Sequence, residues 1–162
     1  MADSILLIDD DVEVLRALGT HLERAGYEVS RELSGEAGLG TFDRLRPDVV
    51  VLDLGLPGMG GTGVLSHLRE RGAAVVLLAS DGEHAAAVGA LGNGAESFLA
   101  KPVDPAHLVG VVARVADKVR VRRVNEALQK ASAVASETID ADRERIDAVV
   151  AEITADVADR QQ

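Results

Sequence analysis

The chain has 162 residues, enough for one ordinary domain and a smaller addition, and its formal net charge of -10 argues against a general nucleic-acid-binding surface. The absence of cysteine excludes disulfides and thiolate metal sites, and no apolar run reaches the ~18 residues that a membrane-spanning helix needs. With aromatic residues at only 2%, the core must be built from Val, Leu, Ile and Ala. Because the chain has no cysteine and no membrane-spanning run, we expect a cytoplasmic protein.

Short apolar segments alternate with amphipathic segments through the first two thirds of the chain. Apolar runs that end abruptly in polar residues predict buried strands, and apolar residues spaced three and four apart predict helices. In chain order, the predicted elements are a strand over 5–8, a helix over 12–25, a weaker strand over 27–33, a helix over 35–45, a strand over 49–52, a helix over 62–71, a strand over 74–79, a helix over 83–92 and a strand over 97–100. This alternation predicts a doubly wound α/β fold, in which helices cover both faces of a five-stranded parallel sheet.

The last third of the chain predicts one long helix that begins at Asp104 or Pro105, because no Pro follows Pro105 and no Gly follows Gly110. About 50 residues that rise ~1.5 Å each would give a rod of roughly 75 Å. Its apolar residues recur three and four apart and form a heptad-like stripe with one extra residue between its halves: Val121, Val124, Leu128, Ala131 and Ala135, then Ile139, Ile146, Val149, Ile153 and Val157. Asp142 is a polar residue on this stripe.

A lone helix with a one-sided apolar stripe needs a partner to cover that stripe. We therefore predict a compact domain over residues 1–115 and an extended helical segment over 116–162 that pairs with a second copy as a coiled-coil homodimer. The alternative is that this segment frays or folds back onto the compact domain.

Polar residues stand where four of the predicted strands end. Asp9, Asp10 and Asp11 follow the first strand, Asp53 follows the third, Ser80 the fourth and Lys101 the fifth. Ligands bind beyond the carboxyl ends of the strands in such a sheet, so we expect these residues to carry the chemistry, with three carboxylates and one ammonium converging on one crevice. Clustered carboxylates repel each other unless a cation neutralises them, and oxygen ligands without Cys or a neighbouring His favour Mg2+.

A lysine and a hydroxyl beside carboxylates suit a phosphoryl group. Lys101 would supply a point charge and Ser80 a hydrogen-bond donor. A strand-end carboxylate that faces Mg2+ and a lysine can act as a nucleophile toward phosphorus and form an aspartyl phosphate. The alternative, that each acid is a solvated cap or turn residue, is reasonable for any one of them but not for four strand ends together.

Four sequence motifs, in order and at matching separations, resemble those of the receiver domains of two-component response regulators. The resemblance covers about residues 4–115 and implies a flavodoxin-like fold with strand order 2-1-3-4-5. The motifs are Leu-Ile-Asp-Asp-Asp at 7–11, Val-Leu-Asp-Leu-Gly-Leu-Pro-Gly-Met-Gly-Gly at 51–61, Leu-Leu-Ala-Ser at 77–80 and Phe-Leu-Ala-Lys-Pro at 98–102.

The resemblance implies that Asp53 accepts a phosphoryl group from a sensor histidine kinase. Asp10, Asp53 and the backbone carbonyl of Gly55 would bind Mg2+ directly, and Asp9 would act through water. On this basis the chain is a signalling protein that assists its own phosphotransfer and dephosphorylation, and not an enzyme in the usual sense.

The same resemblance assigns the switch residues. Ser80 and Lys101 would bind the phosphoryl oxygens, and Phe98 would be the aromatic side chain that follows Ser80 inward. The peptide bond between Lys101 and Pro102 would be cis. The family often has side chains that tune the phosphoryl lifetime at the places of Gly55 and Gly82, where this chain has none.

A second glycine pattern, Gly-Met-Gly-Gly-Thr-Gly at 58–63, matches the dinucleotide-binding fingerprint. Residues 53–57 separate it from the preceding strand, however, and no ribose-binding acid at a strand end follows about 20 residues later. We therefore favour the receiver interpretation.

The basic stretch at 118–126 resembles the linker helix of NtrC-like transcriptional activators, although residues 126–162 contain no phosphate-binding loop of the ATPase that follows this helix in those proteins. Direct DNA binding by this stretch is not the favoured interpretation, since its bases are expected to be solvated flanks of the coil or to pair with acids across it. The segment at 137–159, with eight acids and two bases, does not suit a DNA contact either. Two hypotheses remain. The first is a phosphorylation switch that acts through a dimeric helix on a downstream protein or a missing output domain; the second is a constitutive coiled-coil dimerisation or scaffold module with a vestigial receiver site.

Overall fold

The computed structural model describes residues 3–160, which form five strands and five helices in alternation. The bounds, in chain order, are β1 Ser4–Ile8, α1 Val12–Arg24, β2 Glu28–Glu32, α2 Gly35–Leu45, β3 Val49–Asp53, α3 Gly60–Glu70, β4 Val75–Ala79, α4 His84–Gly92, β5 Ser97–Ala100 and α5 Pro105–Arg160. Each element lies within two residues of its predicted bounds, because the apolar runs and their polar ends fix the strands.

The strands form one parallel sheet in the order β2-β1-β3-β4-β5, which confirms the predicted fold class and strand order. Ile8 of β1 pairs with Leu52 of β3, and Asp53 pairs with Leu78 of β4. Residues just after Ile8 and at the end of β3 therefore leave the sheet side by side, at its carboxyl edge.

Successive residues of β1 face opposite sides of the sheet, as the period of a strand requires. Ile5 and Leu7 pack into one apolar cluster with residues of α1 and α5, and Leu6 and Ile8 pack into a second cluster with residues of α2, α3 and α4. Because both faces are covered, β3 and β4 are buried throughout and their sequences are almost wholly apolar. Each fully buried Leu or Val contributes about 1.5–3 kcal/mol to this packing.

Helix α3 begins at Gly60, two residues before its predicted start, because a tight turn brings the chain back onto the end of β3. Gly58 and Gly60 have φ of 76° and 74°, a region that favours glycine. The Gly61 amide donates to the carbonyl of Leu54 at 3.2 Å, and a Cβ on Gly61 would stand only 2.4 Å from the Cα of Leu54. Backbone geometry thus accounts for these three glycines of the Gly-Met-Gly-Gly-Thr-Gly pattern without a nucleotide.

The chain divides into two compact units, the first ending at Val119 and the second beginning at Arg120. We call residues 120–160 the tail; throughout this range α5 is one uninterrupted helix. The larger apolar side chains of its predicted stripe, from Val121 to Val157, are between 51% and 66% exposed. Within residues 3–160, no helix has the length and apolarity needed to cross a membrane.

Candidate functional site

Three carboxylates meet at the carboxyl edge of the sheet. Asp9 follows β1 directly, Asp10 comes next, and Asp53 is the last residue of β3. One oxygen from each lies within 4.8 Å of the others, and we call these three residues the acidic cluster. Asp9 and Asp53 are buried whereas Asp10 is exposed, so the cluster has one member in contact with solvent.

Lys101 is the cation of this cluster. It follows β5, where its backbone amide donates to the carbonyl of Ala79 at 2.8 Å, and its peptide bond to Pro102 is cis. Its Nζ lies 3.0 Å from Oδ2 of Asp9 and 3.2 Å from Oδ1 of Asp53. One ammonium group thus bridges the two buried carboxylates.

Burial and neighbouring charges shift two of these groups. Burial raises the pKa of Asp9, and the nearby charge of Asp53 raises it further, although hydrogen bonds from the Asp11 amide and Lys101 act in the opposite direction. For Lys101, burial is the strongest single influence and lowers the pKa, but the hydrogen bond and charge of Asp9 together with Asp53 outweigh it, so the pKa of Lys101 is raised. Three carboxylates and one ammonium still leave an excess of negative charge.

The donor set of the acidic cluster fits a hard divalent cation such as Mg2+. All three potential ligands are carboxylate oxygens, which Mg2+ prefers over nitrogen or sulfur. Burial is the main cause of the raised pKa of Asp9, and the charge of Asp53 adds to it. A second cation would offset this charge repulsion between the clustered carboxylates.

Asp11 has a different role from its two neighbours. Its carboxylate accepts a hydrogen bond from the Glu13 amide at 2.9 Å and caps the N-terminus of α1. The expectation that Asp11 is among the residues that carry the chemistry is therefore wrong, because α1 begins at the very next residue and offers its unpaired amides to this side chain.

Ser80 and Phe98 occupy different surroundings. Ser80 follows β4 and lies, with Lys101, on the wall of a cleft of about 670 Å³. Phe98 is in β5, is partly buried against the second apolar cluster, and has its ring centroid 6.2 Å from that of His84. Phe98 thus bridges the core and the start of α4.

Glu83 is a site residue that the sequence analysis missed. Its Oε1 accepts a hydrogen bond from the Ser80 amide at 2.8 Å. A Cβ on Gly55 would stand 3.1 Å from Oε2 of Glu83 and 3.6 Å from Oδ1 of Asp53, so the Glu83 carboxylate fills space beside Asp53 that a side chain at 55 would take. The spacing of Ser80 and Glu83 matches a capping box, which is the signal that could have found it.

The fold and the site together define a class of protein: a doubly wound parallel α/β domain with an acidic cluster and a lysine at its carboxyl edge. Residues 5–113 match the family model of the response regulator receiver domain. The chain belongs to this family, whose members are signalling components of two-component systems.

Two further proteins are similar to this chain over most of its length. The probable transcriptional regulator ycf27 of Porphyridium aerugineum is 34% identical over 131 residues, which are 80% of this chain and 51% of that protein. The sensory transduction protein RegX3 of Mycobacterium bovis is 36% identical over 114 residues, which are 69% of this chain and 50% of that protein. This chain thus spans about half the length of these relatives.

Solved structures show the same fold. A response regulator receiver domain protein from Clostridium thermocellum has a TM-score of 0.71 and 28% identity, over 74% of this chain and 98% of that chain. NtrX from Brucella abortus has a TM-score of 0.74 and 26% identity, over 79% of this chain and 30% of that chain. The larger coverage with NtrX is in keeping with the resemblance of the basic stretch to the linker of NtrC-like activators.

Proposed function

We propose that this chain is a phosphorylation-dependent switch in which Asp53 accepts a phosphoryl group from a sensor histidine kinase. The single observation that supports this most is the Lys101 ammonium held between Asp9 and Asp53 at the carboxyl edge of the sheet. Such an arrangement supplies both a carboxylate nucleophile and a cation for the phosphoryl group that it attacks.

The two contacts described for Asp53 are both to Oδ1, which accepts from the Gly55 amide at 3.1 Å and lies beside Lys101. We assign the attack to Oδ2. This oxygen forms the new bond to phosphorus while the bond between phosphorus and the kinase imidazole nitrogen breaks; the nitrogen keeps the electron pair and takes up a proton from water. Lys101 and the Ser80 hydroxyl then hold the phosphoryl oxygens.

The proposed Mg2+ ligands are Asp10, Asp53 and the backbone carbonyl of Gly55, with Asp9 acting through water. When bound, the ion neutralises charge on the phosphoryl oxygens. The burial of Asp9 and its contacts with Lys101 keep that side chain in place to orient the water.

The output is proposed to pass through Ser80, Phe98 and the tail. Phe98 is only partly buried and contacts His84 at the start of α4, so a change at Ser80 has room to alter its position. The tail is proposed to dimerise through its exposed apolar stripe and to act on a downstream protein or an output domain.

Phosphorylation is tested directly on the purified chain. With acetyl phosphate and Mg2+, we expect a gain in mass of one phosphoryl group that Asp53→Asn abolishes, because an amide is not a nucleophile toward phosphorus. Asp140→Asn is the matched control, since it makes the same change at an exposed tail residue and should leave the adduct unaffected. A wild-type chain without any adduct, or an equal adduct on Asp53→Asn, contradicts the proposal.

The alternative function, a constitutive coiled-coil dimerisation or scaffold module, is favoured by the length and exposed stripe of the tail alone. It predicts that the chain dimerises without Mg2+ or acetyl phosphate, and that it gains no phosphoryl adduct when both are added. Intact-protein mass spectrometry and light scattering on the same sample separate the two functions.

Glu83 is expected to slow phosphorylation, because its carboxylate stands beside the accepting one and repels an incoming phosphoryl dianion. Glu83→Gln keeps an oxygen that accepts from the Ser80 amide but removes the charge, so the initial rate of adduct formation should rise on the order of threefold to tenfold. Glu70→Gln, the same change at the exposed end of α3, is the control. An unchanged rate would leave Glu83 as a structural cap only.

Dimerisation through the tail has its own test. At micromolar concentration, light scattering should give the mass of two chains, and a chain cut after residue 119, where the first compact unit ends, should give the mass of one. A mass of one chain for the full sequence contradicts the dimer.

A further inference from the structure

We propose that two copies of the tail associate antiparallel, so that the first half of each tail packs along the second half of the other. The inference rests on the proposed dimer and adds its orientation. It starts from a helix that is uninterrupted to Arg160, which leaves no turn at which one tail could fold back on itself.

The charge of the tail changes sign at its middle. Residues 120–136 carry four basic and one acidic side chain, whereas residues 137–160 carry eight acidic and three basic side chains. Parallel pairing would place each half against its own copy and set like charges together. Antiparallel pairing places the basic half against the acidic half twice, which favours that orientation electrostatically.

The spacing of the apolar stripe is nearly symmetric about Ile139. Because of this symmetry, two antiparallel copies related by a two-fold axis near Ile139 bring apolar residues of one half opposite apolar residues of the other. The pairs are Val121 with Val157, Val124 with Ile153, Leu128 with Val149 and Ala131 with Ile146. The step of four residues between Ala135 and Ile139, which interrupts a parallel heptad pattern, then falls at the two-fold axis.

Asp142 distinguishes the two orientations further. In a parallel, in-register pair it would face its own copy, and two carboxylates would meet within the apolar stripe. In the antiparallel pair it lies opposite Ala135, where the small side chain leaves space for the carboxylate to reach water. Asp142, the acidic residue on the apolar stripe, is therefore tolerated in the antiparallel pair, whereas in the parallel pair its own copy would repel it.

Single cysteines test the orientation, because the chain has none of its own. In the full chain under mild oxidation, Ile139→Cys should give a disulfide-linked dimer, since this position lies near its own copy in either orientation. Val124→Cys alone and Ile153→Cys alone should remain uncrosslinked, whereas the double variant Val124→Cys/Ile153→Cys should double in mass on a non-reducing gel and return to one chain on reduction.

Each result decides a different point. Efficient crosslinking of Val124→Cys alone, equal to that of Ile139→Cys, overturns the antiparallel orientation and leaves the dimer in place. No crosslink for any variant, together with a light-scattering mass of one chain, overturns the dimer itself. The effect of salt gives an independent check, because screening should weaken an antiparallel dimer and strengthen a parallel one.

Discussion

Replacing Lys101 with Met is expected to lower the free energy of unfolding by about 2–3 kcal/mol near neutral pH. Its Nζ lies 3.0 Å from Asp9 and 3.2 Å from Asp53, whose side chains are only 2% and 4% exposed. Removing the ammonium leaves two buried carboxylates that repel each other without a cation. The expected loss is below that of a fully buried pair, since the lysine side chain is itself 22% exposed.

The loss should depend on pH in a definite direction. Burial raises the pKa of Asp9, so its contribution to stability is present at low pH and is lost as the pH rises through that raised pKa. Without Lys101 the pKa of Asp9 rises further, because the hydrogen bond and charge that lower it are gone. Compared with wild type at the same pH, the loss of unfolding free energy in Lys101→Met should therefore be smaller at about pH 5 than at about pH 8.

Urea unfolding at both pH values measures this effect, and Lys118→Met is the matched control. Lys118 pairs with Glu96 at 2.8 Å, but its side chain is 69% exposed, so its removal should cost no more than about 0.5 kcal/mol at either pH. Equal losses for the two variants would show that the bridge at the acidic cluster has no special role. Added Mg2+ should stabilise Lys101→Met more than wild type, since a cation is what the variant lacks.

Asp11 shows where the site could be predicted from sequence and where it could not. Strand prediction places Asp9 and Asp53 at the carboxyl edge of the sheet, because each comes at the end of a predicted strand. That β1 and β3 are neighbours, which brings the two carboxylates together, followed from the strand order that the family resemblance implied. A run of three acids does not state which side chain turns inward. That depends on where α1 begins, and its start at Val12 makes Asp11 the cap.

The spacing of Ser80 and Glu83 could have pointed to their hydrogen bond, but the position of the Glu83 carboxylate beside Gly55 could not be predicted from sequence. Its carboxylate reaches the space beside Gly55 because the chain turns sharply after β4, where Gly82 has a φ of 88°. The distance between two loops is set by their turns, and hydropathy patterns do not encode it. The order of the strands likewise came from the family resemblance, since alternation of strands and helices is compatible with several orders.

The turn that carries Asp53 leads to the second large effect. Gly61→Ala is expected to lower the free energy of unfolding by about 2–4 kcal/mol. The new Cβ would stand 2.4 Å from the Cα of Leu54, 2.5 Å from its carbonyl oxygen and 2.7 Å from that of Asp53. These atoms belong to the backbone at the end of β3 and cannot rotate away, so either the turn or the strand must shift.

Gly63→Ala is the matched control two residues along the same helix. Its Cβ would stand 3.5 Å from the Cβ of Met59, which is an ordinary contact, and alanine favours a helix over glycine by about 1 kcal/mol. The two identical substitutions should therefore change the urea midpoint in opposite directions. Because the clash at Gly61 involves the backbone of Asp53, Gly61→Ala should also slow adduct formation under conditions where it is fully folded, while Gly63→Ala should not. The prediction is contradicted if Gly61→Ala is as stable and as readily phosphorylated as Gly63→Ala. That result would mean that the end of β3 tolerates displacement, and that the close approach of α3 does not position Asp53.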